Sequence, residues 1–182
     1  MRKTDSRIRY TQNVLKQALL SFLKEKPINK ITVKEVCERA ELNRATFYAH
    51  YSDCFALLES IEEDLLEAFQ QSLKLVDSFD VTALIEAIYT MIERQQDACR
   101  VLIFQNACPN VLRRMIGMAH DESIAYWKRH LHHITEAELE MLYTHLSNGL
   151  MHVVVEGYEK YSREEVVRFV NRIVQCSLSQ FQ

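Results

Sequence analysis

Glycine and proline are nearly missing from this chain, with three and two among 182 residues. Backbone positions that need a positive or a locked φ are therefore few, which disfavours hairpins and meanders and favours long helices. No apolar run reaches the eighteen or so residues that a membrane span requires, and the opening "MRKTDSRIRY" is charged, so neither a span nor a secretory leader is expected. The five cysteines, at 37, 54, 99, 108 and 176, form no CxxC pair and suggest neither a disulfide framework nor a zinc motif. A reduced, cytoplasmic setting follows. Nucleophile motifs, phosphate loops and metal-and-carboxylate groupings are also missing, so the sequence predicts no enzyme, no cofactor and no metal.

What is present is apolar residue at 48%, enough for a continuous core at this length, and an uneven distribution of charge. Residues 1–50 carry 11 Lys+Arg against 5 Asp+Glu, whereas 51–182 carry 11 against 20. A basic head on an acidic body points the head towards a polyanion, although a charge run can equally be a solvated face.

Helical spacing runs through the chain. Ile8, Leu15, Leu19, Phe22 and Leu23 predict a helix from about Asp5 to Lys26, which Pro27 ends. Thr32 with Glu35 reads as a capping box for a two-turn helix, and Asn43 as the N-cap of a third helix through about His50. A fourth begins near Asp53, with Leu58, Ile61, Leu65, Phe69, Leu73 and Val76 on one stripe. Beyond it, Asp80 caps a helix to about Arg94, and Asp97 a short one to about Asn106. Pro109 opens a helix towards His133. "TEAE" (135–138) and "SREE" (162–165) are two more capping boxes, starting helices to about Lys160 and to the C-terminus. The expected fold is all-α.

Two short helices joined by a turn of three or four residues and braced by longer ones describe a helix-turn-helix, with Ile31, Val36, Leu42 and Phe47 as its small core. Its second helix lies in "NRATFYAHY" (43–51), which mixes three aromatics with an arginine and a histidine. In such a motif the N-terminal residues of the second helix meet base edges. Asn43, Arg44 and Ala45 stand there, with Arg44 able to pair bidentately with guanine and the Ala45 methyl able to touch thymine. Thr46, Tyr48 and His50 carry groups that reach phosphate oxygens. Phe47 and Tyr51 face the other way and pin the helix to its support.

The stretch "ITVKEVCERAELNRATFYAHYSDCFALLESI" closely resembles the DNA-binding region of TetR/AcrR-type bacterial transcriptional regulators. The resemblance covers about residues 7–68 and is most specific at "T-F-Y-x-H-Y", 46–51. It implies an N-terminal three-helix DNA-binding head and a larger C-terminal helical dimerisation and ligand-binding domain, here residues 1–52 and 53–182. It further implies phosphate contacts from Thr32, Thr46, Tyr48 and His50, and base contacts around Arg44 and Ala45. One position departs from the pattern: where many relatives carry a phosphate-binding lysine at the start of helix four, this chain has Cys54, followed by Phe55. Lys34, Arg2 or Lys3 would have to supply that contact.

By the same resemblance, the last two helices pair with those of a second subunit. The apolar runs "GLMHVVVEGY" and "VVRFVNRIVQCSLSQF" suit that role, because such faces left exposed invite aggregation. An effector pocket is expected among helices five to eight, with Phe104, Met115, Met118, Tyr126 and Trp127 as candidate lining, a stripe that would serve equally as plain core. The histidines of "HLHH" (130–133) diverge around a helix end rather than converging on a metal. Cys54 near a helix N-terminus is a candidate thiol sensor, weighed against an inert buried thiol. Together these features predict a cytoplasmic homodimeric regulator that binds a palindromic double-stranded operator and represses until a small molecule releases it. The alternative is a DNA-tethered interaction factor with the same head and no effector.

Overall fold

The computed structural model describes residues 3–74, 80–105 and 108–181 and contains ten α-helices with no strand among them. Met1, Arg2, Val76 and Asn106, all invoked from sequence pattern, lie outside the described residues. The helices are α1 (Lys3–Leu23), α2 (Val33–Arg39), α3 (Arg44–Tyr48), α4 (Cys54–Lys74), α5 (Val81–Arg94), α6 (Gln96–Cys99), α7 (Pro109–Met118), α8 (His120–His130), α9 (Glu136–Gly157) and α10 (Arg163–Leu178). Short 3₁₀ turns follow α1 and α10, at Ile28–Lys30 and Ser179–Phe181.

Two compact units emerge, Met1–Leu65 with Gln96–Cys108, and Leu66–Gln95 with Pro109–Gln182, so the division falls inside α4. In the first, Leu15, Leu19, Val36, Phe47 and Leu57 are fully buried, joined by Cys99, Val101 and Leu102 from the later segment. That segment is tied to the residue just after α1 by an ion pair from Lys24 to Asp97, 3.2 Å. In the second, Ile85, Ile88, Met115 and Val154 form the fully buried centre.

The three capping boxes form as expected. Thr32, Thr135 and Ser162 each accept from the backbone N–H three residues on, and Glu35, Glu138 and Glu165 reach back to the cap. Asp80 also caps its helix, accepting from the N–H of Thr82 and Ala83.

Two expectations are corrected. Asp97 does not cap a helix. It sits within α6, which runs straight into a wider π-type turn over Arg100–Phe104, closed by the Gln105 N–H on the Arg100 carbonyl at 2.9 Å. The single helix expected from Pro109 to His133 is two, broken at Ala119. The Ile116 carbonyl accepts instead from the Tyr143 hydroxyl on α9, and Ala119 closes a tighter bond onto the same oxygen at 3.3 Å. A donor 27 residues away thus ends the helix.

Candidate functional site

In the first unit, α2 and α3 are joined by a turn in which Glu41 adopts φ 54°. The Leu42 N–H bonds the Cys37 carbonyl at 2.9 Å and the Glu41 N–H bonds Glu38 at 3.3 Å. This is the pattern that usually places glycine in the left-handed position after a helix. Glutamate there carries backbone strain of about 1–2 kcal/mol, which the two bonds offset.

Helix α3 has only five residues, too few to be stable alone, so its caps and packing must hold it. Asn43 Oδ1 accepts from the Thr46 N–H at 2.7 Å and from its hydroxyl at 2.9 Å. Phe47 is fully buried, its ring edge-on to Tyr48 at 5.6 Å and tilted against buried Tyr51 at 6.0 Å. Opposite that plug, Asn43, Arg44 and Ala45 are exposed and Tyr48 is 57% exposed, with Thr46 and His50 half-buried. The short helix therefore buries one aromatic and presents a guanidinium, a methyl and a phenol outward.

The remaining candidates of the motif have partners of their own. Thr32, exposed at the start of α2, donates its hydroxyl to Glu35 at 2.8 Å. Lys26 also donates to Glu35, at 2.7 Å, and with the Thr32 bonds holds that carboxyl down at about 2. Lys34, exposed one turn from Glu38, lies 3.7 Å from its carboxylate. The hydroxyl hydrogens of Thr32 and Thr46 are thus committed within the chain, whereas the Arg44 guanidinium and the Tyr48 phenol stand exposed.

Cys54 opens α4 but is only 5% exposed, and burial pushes its thiol up to about 11. It is therefore protonated, not the activated thiol that a helix N-terminus can produce. Phe55 beside it is the exposed residue, at 57%.

The second unit holds a half-open cavity of about 410 Å³. Met115, Tyr126 and Trp127 line it, together with Ile88, Tyr143 and Val174. Met118 does not, and Phe104 belongs to the π-type turn of the first unit. Sequence reasoning missed the polar members of the wall, Ser123, His130, Tyr143, Ser147 and Gln175, because a polar residue on one helix face gives no periodic signal. His130 stacks on Tyr126 at 4.0 Å, while His132 and His133 lie beyond the end of α8. On the last two helices Met141, Phe169 and Ile173 remain exposed, as does Tyr161 between them.

No protein-family model matches the chain. Over 81 residues it is 33% identical to YxbF of Bacillus subtilis, an uncharacterised HTH-type transcriptional regulator, a match covering 44% of this chain and 20% of the relative's length. A TetR transcriptional regulator from Streptococcus agalactiae has a similar structure, with a TM-score of 0.69 at 21% identity over 94% of this chain and 97% of that one. A transcriptional regulator from Pseudomonas aeruginosa follows at 0.63 and 15%, covering 94% and 93%. The dihydroxyacetone kinase operon activator DhaS gives 0.56 and 15%, covering 94% and 98%. The resemblance read over about residues 7–68 is thus joined by a likeness of fold along nearly the whole chain, and the chain has the TetR-type regulator fold with a helix-turn-helix in its N-terminal unit.

Proposed function

We propose that this chain is a sequence-specific DNA-binding transcriptional regulator acting as a homodimer, a repressor released by a small molecule. The observation that carries the reading is the division of α3 between buried Phe47 and the outward Arg44, Ala45 and Tyr48. Residues 1–52 supply the contacts to DNA. Arg44 and Ala45 read base edges with the Asn43 amide beside them, and Tyr48, His50 and Lys34 orient the motif on phosphates, joined by Thr46 and Thr32 once DNA draws their hydroxyl hydrogens from Asn43 and Glu35. Effector and dimer functions belong to 53–182. The exposed Phe169 and Ile173 of α10 and Met141 of α9 support pairing with a second copy, which matches a palindromic operator with two half-sites. The cavity of the second unit is the effector site. An effector must bind the released state more tightly than the DNA-bound one, or it shifts nothing. With no lysine at Cys54, that phosphate contact falls to Lys34, Arg2 or Lys3.

The test is fluorescence anisotropy of the full chain with labelled duplex from its own upstream region against a scrambled duplex. Specific binding is expected to exceed the scrambled control by about a thousandfold or more. Arg44→Ala should lose about 1–3 kcal/mol and relax discrimination at one base pair. Equal affinity for both duplexes at low salt refutes the reading.

A further inference from the structure

The chemistry of the cavity wall narrows what can bind there, an inference that rests on reading that cavity as the effector site. Among the described residues that wall it there is no Asp, Glu, Lys or Arg. A carboxylate or an ammonium entering would lose its hydration without gaining a counter-charge.

The uncharged polar groups are biased as well. Ser123 donates its hydroxyl to the Ala119 carbonyl and Ser147 to the Tyr143 carbonyl, each at 2.6 Å, and Tyr143 donates to the Ile116 carbonyl. A carbonyl oxygen has no hydrogen to give, so each of these hydroxyls has spent its own and keeps only lone pairs for a ligand. His130 Nδ1 lies 2.8 Å from the Tyr126 carbonyl, which fixes the hydrogen on that nitrogen and leaves a lone pair on Nε2 of the neutral ring. Against these four acceptors the Trp127 indole N–H is a donor only, while the Tyr126 hydroxyl and the amide of Gln175, a residue exposed like His130, can both donate and accept. The rest is aliphatic or aromatic, with the Trp127 and Tyr143 rings tilted 6.0 Å apart.

We infer that the cavity of the second unit takes an uncharged ligand with an aromatic or aliphatic body and a hydroxyl that donates a hydrogen bond, the chemistry of an alkylphenol. Its body fills the space between α5, α8 and α9, and its hydroxyl gives its hydrogen to a serine or histidine lone pair. An ether of the same shape leaves those lone pairs facing an apolar surface.

The experiment titrates the full-length protein with 4-pentylphenol, 4-pentylanisole, 4-pentylbenzoate and 4-pentylbenzylamine, following the fluorescence of Trp127, the only tryptophan. The phenol is expected to bind tightest, the ether about tenfold more weakly for want of the donor. The benzoate and the amine should fall about a hundredfold or more behind. Ser123→Ala and Ser147→Ala remove one acceptor each, and at least one should shrink the preference for phenol over ether, with circular dichroism confirming the helices. The inference is overturned if the benzoate or the amine binds as tightly as the phenol, if the ether equals it, if none binds, or if neither serine variant alters the preference. Anisotropy with promoter DNA separates the two readings. Phenol-selective binding that leaves DNA affinity unmoved removes the effector role while the ligand class stands.

Discussion

Phe47 and Tyr48 are neighbours in sequence with opposite duties, and a pair of substitutions separates them. Phe47→Ala removes a fully buried ring and its contacts to Tyr48 and Tyr51. Truncating a buried Phe costs about 3–5 kcal/mol, a large share of the roughly 5–15 kcal/mol by which domains are stable. With a urea dependence of about 1–3 kcal/mol per molar, the unfolding midpoint should fall by roughly 1–5 M. Tyr48→Phe keeps the edge-on ring pair and deletes only an exposed hydroxyl, so stability should stay within about 0.5 kcal/mol. Its DNA affinity should drop by about 1.5–3 kcal/mol, the worth of a hydrogen bond to a charged phosphate, or roughly ten- to 150-fold. Urea unfolding followed by far-ultraviolet circular dichroism and anisotropy on duplex DNA measure the two effects. An unchanged midpoint for Phe47→Ala, or unaltered DNA binding for Tyr48→Phe, refutes the two-sided account of α3.

The carboxyl of Glu35 is held down at about 2, first by Lys26 and then by Thr32, so its contribution is complete above about 4.5 and disappears as pH falls through about 2. Glu35→Gln should be less stable than the parent at neutral pH, with the gap closing across that acidic window in urea midpoints. His120 behaves in the opposite sense. Hydrogen bonds from its ring to Glu140, 2.7 Å, and Asp121, 2.8 Å, raise its pKa above 6.5, so the stability they add is full below 6.5 and lost as pH rises through the raised value. His120→Gln should trail the parent in acid and converge with it in alkali. For the thiols, exposed Cys176 should react with a disulfide reagent quickly and alone, because loss of hydration raises buried Cys37, pushes buried Cys54 up to about 11, and pushes buried Cys99 and half-buried Cys108 up to about 12. More than one fast thiol in native protein contradicts these burials. Glu41→Gly should stabilise by up to about 1 kcal/mol, since glycine adopts the left-handed turn without strain, and a lower thermal midpoint would count against that.

What could be read from the chain beforehand was whatever depends on residues a few positions apart. A cap needs only the right pair at spacing three, so Thr32, Thr135 and Ser162 announced their helices, and Asn43 and Asp80 did so alone. Features that depend on distant partners stayed hidden. Nothing near Ile116 reveals that Tyr143 will take its carbonyl and split a helix. Nothing in "QDACRVLIF" reveals a π-type turn buried with the N-terminal helices. The two sides of α3 were legible because Arg44 and Ala45, which suit base edges, stand within one turn of Phe47, which suits a core. The cavity was less so: apolar and aromatic residues suggested Met115, Tyr126 and Trp127, but the acceptor bias of Ser123 and Ser147 arises from backbone bonds that only the folded helices create.

The compact N-terminal unit borrows Gln96–Cys108 from far along the chain, and this limits how the protein can be taken apart. A fragment truncated after Leu65 would leave unfilled the space held by Cys99, Val101 and Leu102, all at 0% exposure, and would be prone to aggregate. A chimaera that grafts this DNA reader onto a foreign sensor must carry the distant segment with it, so modular exchange at the obvious seam would fail for reasons unrelated to DNA.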